Sequence, residues 1–176
     1  MKQETWIVDG YNVIHAWPQI AQRIEEISLE SAREMLIEKL VDFQGATGHQ
    51  VVIVFDAYSS ASASVTAMQE QRAGVTVVFT ARDQTADSYI EIFVEQLHKK
   101  DRYATIRVVT GDALEQGTIF SFGAARMTTR ELRRQMDQAH LELEKQMETM
   151  QRRKREKLEG RLPREIAEIL EDLRRK

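Results

Sequence analysis

The sequence predicts an α/β fold built on a parallel sheet, with flanking helices and a C-terminal helical extension. Three observations carry that expectation. Short, nearly unbroken apolar runs (TWIVD, QVVIVF, VTVVFT and TIRVVT) read as strands covered on both faces. Segments with helical spacing separate them, which is the alternation expected of a parallel sheet. From about Thr128 the β-branched runs stop and a charged helical pattern takes over.

The first strand is expected at residues 5–9. Gly10 breaks it, and a loop is expected through Pro18. Residues 28–44 predict a helix, because Leu29, Ala32, Leu36, Leu40 and Phe43 recur on one face. Ser28 is its expected N-cap, Ser31 and Glu34 form a second capping-box candidate, and Gly45 and Gly48 supply the stop. Residues 50–55 predict the second strand. The Ser- and Ala-rich stretch after Tyr58 reads as a loop, and a helix between the second and third strands is only poorly signalled. The third strand is expected at 75–80 and a helix after Thr85, with Ala86, Ile90, Phe93, Val94 and Leu97 on one face. The fourth strand is expected at 105–110, then a short helix and loop over 113–123. Thr128 or Thr129 should cap a long helix whose seam is Leu132, Met136, Ala139, Leu143, Met147 and Met150. Pro163 suits the first turn of a last helix. The expected division is a core over 1–127 and an extension over 128–176.

The chain has 176 residues and no cysteine, so a disulfide framework and a thiolate metal site are excluded. No apolar run approaches the length that crosses a bilayer, and the expectation is a soluble cytoplasmic protein without a membrane partner. Charge is unevenly placed. Residues 1–125 carry 10 Lys/Arg against 17 Asp/Glu, a net of −7; residues 126–176 carry 15 against 11, a net of +4. Clusters such as Arg130, Arg133, Arg134 and Arg152–Arg155 can track phosphates, or simply form a solvated helix face.

The acids near strand ends are the chemical signal. Asp9 follows the first strand, Asp56 the second and Asp112 the fourth, while Asp87 lies in the first turn expected after Thr85. Parallel strands deliver their C-terminal ends to one edge, where such sheets hold ligands. Acids gathered there repel unless a divalent cation joins them. Asp9, Asp87, Asp112 and, in support, Asp56 are therefore the expected metal ligands, with Mg²⁺ or Mn²⁺ the expected ion. Each also has a structural explanation: an Asx turn at Asp9 or Asp112, favourable helix N-terminal placement at Asp87. Glu91 would stand behind them. Asn12 can orient water or a phosphate oxygen. Arg126 can clamp a phosphate, and Tyr11 and Trp17 can stack on unpaired bases. His15, His49, His98 and His140 have no metal spacing, and no nucleophilic triad is present.

VDGYNV, VIVFDAY, TADSYIE, VVTGD and GAARMT together resemble the YacP-like NYN-domain family of the PIN-like nuclease group, over residues 5–135. The resemblance implies a compact nuclease core with acids that bind Mg²⁺ or Mn²⁺. It maps Asp9 and Asn12 onto the first acidic motif, Asp87 onto the second and Asp112 onto the strand-end acid. It also implies a bacterial endoribonuclease that cuts messenger RNA in the A site of the translating ribosome. Gly111 stands where the family's TSD-like motif has serine, and Asp112 is followed only by Glu115.

The expected function is thus metal-dependent hydrolysis of single-stranded RNA, with mRNA and the ribosome as partners; a monomer is favoured, and the apolar seam over 132–150 allows either self-association or packing onto the body. The alternatives are a ribosome- or RNA-binding adaptor with a weak or lost nuclease centre, and a phosphatase for small substrates.

Overall fold

The computed structural model describes residues 3–57, 65–111 and 123–159. Asp112, the segment over 113–122, most of the Ser/Ala-rich stretch and the segment after Pro163 lie outside them. The described residues form six strands and five helices: β1 (Thr5–Asp9), α1 (Gly10–Ala16), α2 (Pro18–Glu26), α3 (Leu29–Thr47), β2 (Gln50–Phe55), β3 (Met68–Arg72), β4 (Val75–Phe79), α4 (Ala86–Lys100), β5 (Ile106–Val109), β6 (Ala125–Met127) and α5 (Thr129–Glu159).

The strands form one sheet in the order β3-β4-β2-β1-β5-β6. All neighbours run parallel except β3 and β4. The chain moves from β1 through β2 to β4, then crosses back to place β5 on the other side of β1. The direction of travel therefore reverses between β1 and β5, and that crevice is where doubly wound sheets bind ligands.

Strand parity sorts the helices onto two faces. Ile7, Val52, Val54, Val78 and Val108 pack with Ala86, Ile90 and Val94 of α4. Residues of opposite parity meet the other layer: Trp6 makes an edge contact with Phe43 of α3, and the Phe55 ring lies under Gly10 of α1. Leu36 and Leu40 are fully buried.

The expected caps are present. Ser28 accepts from Ser31 N–H, Thr85 accepts from Ser88 N–H, and Thr128 forms a reciprocal box with Glu131. The C-cap of α3 is Gly48 at φ 69°, whereas Gly45 lies inside the helix.

The structure departs from expectation at four places. Residues 10–18 are not a loop but α1 and the start of α2. Gly10 there serves close packing, because a Cβ would overlap the Phe55 ring. Trp17 is buried and donates its indole N–H to the Thr129 carbonyl at 3.1 Å, so it joins the α1–α2 corner to the start of α5 and does not stack on bases. Residues 68–72 form β3, an exposed edge strand hairpinned to β4 through Ala73 (φ 45°) and Gly74 (φ 90°). Positive φ at both positions matches a tight hairpin turn. The fifth parallel element, β6, also escaped expectation, and Arg126 lies within it.

A compact unit ends at Asp137, and a second begins at Gln138. In the first, Leu132 is fully buried. In the second, Leu143, Met147 and Met150 are exposed. No helix of the described residues is long and apolar enough to cross a membrane.

Candidate active site at the carboxyl edge of the sheet

Asp9 ends β1, the strand that borders the switch crevice. Its carboxylate is buried and doubly held by Asn12. Oδ1 accepts from the Asn12 backbone N–H and Oδ2 from the Asn12 side-chain amide, each at 3.1 Å. The first bond caps α1, so the residue that closes the strand also opens the helix. Burial pushes the Asp9 pKa up, the two Asn12 bonds oppose that, and the charges of Asp87 and Asp56 push it further up. Asp56 and Asp87 are thus near enough to act on Asp9 although their sequence positions are remote. Asp56 directly follows β2, and Asp87 stands in the first turn of α4; both are partly buried.

The surrounding chain is firmly tied. Thr80, just past β4, is buried; its Oγ1 accepts from Ala57 N–H at 2.9 Å and its own N–H donates to Phe55 O at 3.0 Å. These bonds fix the exit of β2 on which Asp56 sits. Past β5, Thr110 is buried and its N–H donates to Met127 O at 3.2 Å. Gly111 follows, and a Cβ on it would overlap Oδ1 of Asn12. Glycine at this position therefore leaves space for the amide that holds Asp9.

Tyr11 places its ring edge against Phe55, centroids 5.3 Å apart, and its hydroxyl accepts from Arg33 at 3.4 Å. Arg126 is partly buried, and its Nε has no hydrogen-bond partner among the described residues. Glu91 is partly exposed, one helical turn beyond Asp87. Among the described residues, no three His, Asp or Glu side chains converge as a ready metal cage.

Sequence reasoning missed Thr80 and Arg33. A threonine ending a β-branched run carries no distinctive signal, and SAREMLI reads as an ordinary helix.

The pattern of the YacP-like NYN domain matches residues 6–175. The chain belongs to the YacP-like NYN family. Uncharacterized protein YacP of Bacillus subtilis (strain 168) is 38% identical over 144 residues, 80% of this chain and 79% of that protein. The crystal structure of Rae1 (YacP) from Bacillus subtilis matches with a TM-score of 0.67 at 32% identity, covering 99% of this chain and 95% of the other. A mutant form of the same protein matches at 34% identity with a TM-score of 0.67, covering 84% and 83%. The YacP-like chain therefore has a nuclease-like α/β fold, and the expected fold class holds.

Proposed function

We propose that the chain is a metal-dependent endoribonuclease that cuts single-stranded mRNA, with the translating ribosome as its place of action. The observation that carries this reading is Asp9, buried at the switch crevice, held by Asn12 and charge-coupled to Asp56 and Asp87. Membership of a nuclease-like family supports it.

The donor set suits a hydrated hard cation. Mg²⁺ keeps several waters and takes only one or two protein carboxylates, so a closed cage is not required. Asp9 and Asp87 would hold the ion, with Asp56 alongside and Asp112 as the strand-end acid. Bound there, Mg²⁺ or Mn²⁺ would supply charge neutralisation for phosphoryl oxygens and a more acidic water for attack. Asn12 fixes the Asp9 carboxylate in one orientation, so no rotamer entropy remains to be lost at binding. Thr80 holds the β2 exit and with it Asp56. Arg126, on β6, would contact the RNA backbone. Attack by water predicts 5′-phosphate and 3′-hydroxyl ends. The acidic body gains little from phosphate contacts, and docking on the ribosome or through the basic C-terminal segment would supply affinity.

The test combines thermal melting and cleavage. Mn²⁺ should raise the melting temperature of the wild-type protein, and less that of Asp87→Asn. RNA incubated with the wild-type protein in a translating bacterial extract should acquire cuts that Asp87→Asn does not make. Equal metal response in both proteins, with cuts from both, would sink this reading.

A further inference from the structure

We propose that Arg33 forms a phosphodiester-binding position for the RNA strand beside the acidic site, held in place by Tyr11 and Phe79. This rests on the nuclease reading and adds to it the place where the substrate backbone enters.

Arg33 lies in the second turn of α3. The helix runs antiparallel to β1 and β2, so its N-terminal turns stand at the same sheet edge as Asp9. The Arg33 guanidinium is 5.6 Å from the centroid of the Phe79 ring, and Nη1 donates to Tyr11 Oη at 3.4 Å. Phe79 stacks on Phe55 at 5.6 Å, and Phe55 carries Tyr11 on its edge at 5.3 Å. Arg33 is thus supported from below by an aromatic tier that begins two residues after Asp9.

Arg72 is neutralised by Glu34 and Glu70, Arg107 by Glu4, and Lys99 by Glu95. Arg33 makes no ion pair with any described carboxylate, although residues 1–125 carry a net charge of −7. Arg23, Lys39, Arg82, Lys100 and Arg102 also make no ion pair among the described residues, and Arg33 differs from them in lying over an aromatic ring. Both of its contacts are neutral, and neither occupies the full fork of donors. The second turn of α3 is close to the positive end of the helix dipole, so the helix does not compensate the cation. A partly buried guanidinium stacked on an aromatic face, with donors to spare, is suited to phosphate through paired N–H···O bonds. The acids at the β1 end need a metal to tolerate a phosphate, whereas Arg33 attracts one unaided.

The experiment measures binding of a fluorescein-labelled single-stranded RNA to the full chain in an Asp87→Asn background, over about 50–200 mM salt. Arg33→Gln should raise Kd about tenfold and flatten the slope of log Kd against log salt by about 0.7, the loss of one phosphate contact. Arg33→Lys should keep most of the slope while raising Kd by about threefold, since charge remains and the fork is lost. A merely structural Arg33 would lower the melting temperature without changing the slope, and that result overturns the proposal. If Arg33→Gln does not fold, Arg33→Lys decides, an unchanged Kd overturning the proposal. If the parent binds no RNA yet the wild-type protein cuts mRNA in a translating extract, the Arg33 site falls and the nuclease stands. If it does neither, both fall.

Discussion

Asn12 holds both carboxylate oxygens of Asp9, one through its backbone N–H and one through its side-chain amide, each at 3.1 Å. One residue thereby caps α1 and fixes the acid at the mouth of the central strand. The side-chain bond is the dispensable half for folding, because the backbone bond alone completes the cap.

Asn12→Ala should therefore leave the fold nearly intact, with a loss of about 1 kcal/mol. Removal of a group that orients a metal ligand typically costs 10–100-fold in affinity or rate. The expected outcome is weaker Mn²⁺ affinity by about that factor, with an unchanged circular dichroism spectrum. Calorimetric titration of Mn²⁺ checks it; full affinity would show that Asp9 needs no orienting partner.

Gly111 acts through the same amide. A methyl group at Gly111 would meet Oδ1 of Asn12, and the flexible amide must move. Gly111→Ala should reproduce part of the Asn12→Ala defect. In the double variant the two losses should not add, since they act on one contact. Additive losses in a double-mutant cycle would place the effect of Gly111 elsewhere.

The opposite end of the sheet carries a structural ion pair. Arg107 donates to Glu4 through Nε at 2.6 Å and through Nη2 at 3.0 Å, which ties β5 to the residue before β1. The Arg107 bonds, chiefly, hold the Glu4 pKa below the ordinary glutamate value, against the cost of burial. A depressed carboxylate pKa stabilises the fold above the unfolded-state value, and that contribution is lost as pH falls through the folded-state value. Since the pair is partly exposed, its worth is about 1 kcal/mol. Urea melts should show Glu4→Gln less stable than wild type at neutral pH. The gap should close under acid, below the ordinary glutamate range. A gap that persists in acid would contradict the assignment.

The β3–β4 turn stores backbone strain at one residue. Ala73 has φ 45°, a region that alanine adopts at a cost and asparagine tolerates. Ala73→Asn should raise stability by about 0.5–1 kcal/mol. Equilibrium unfolding measures this directly, and a loss of stability would show that the Ala73 methyl is needed in the hairpin.

Much of this architecture is legible in the sequence because the buried parallel strands are apolar on both faces. TWIVD, QVVIVF and VTVVFT mark themselves, and Ser28, Thr85 and Thr128 mark the helix starts. The edges are silent. MQEQR carries neither alternation nor β-branched residues, since β3 is exposed along its whole length and pairs as an edge strand with β4. AARMT is too short to show a period, so β6 and the position of Arg126 within it emerge only from pairing with β5. D-G-Y-N reads as a turn because its glycine suggests freedom, while the structure uses Gly10 for contact with Phe55. In the candidate site, Asp9, Asp56 and Asp87 are legible from their places at element ends, and Asn12 from its nearness to Asp9 in D-G-Y-N. Arg33 is not, because the Phe79 ring beneath it is brought there by the tertiary fold.

The most direct test maps RNA 5′ ends in a bacterial translation system supplied with wild-type protein or with Asp87→Asn, translation running or blocked. The account predicts discrete new 5′-phosphate ends that require Asp87 and appear only while translation runs. Ends that require Asp87 but ignore translation would keep the nuclease and remove the ribosome. The same ends from both proteins, or 5′-hydroxyl ends, would contradict the metal-dependent site built on Asp9 and Asp87.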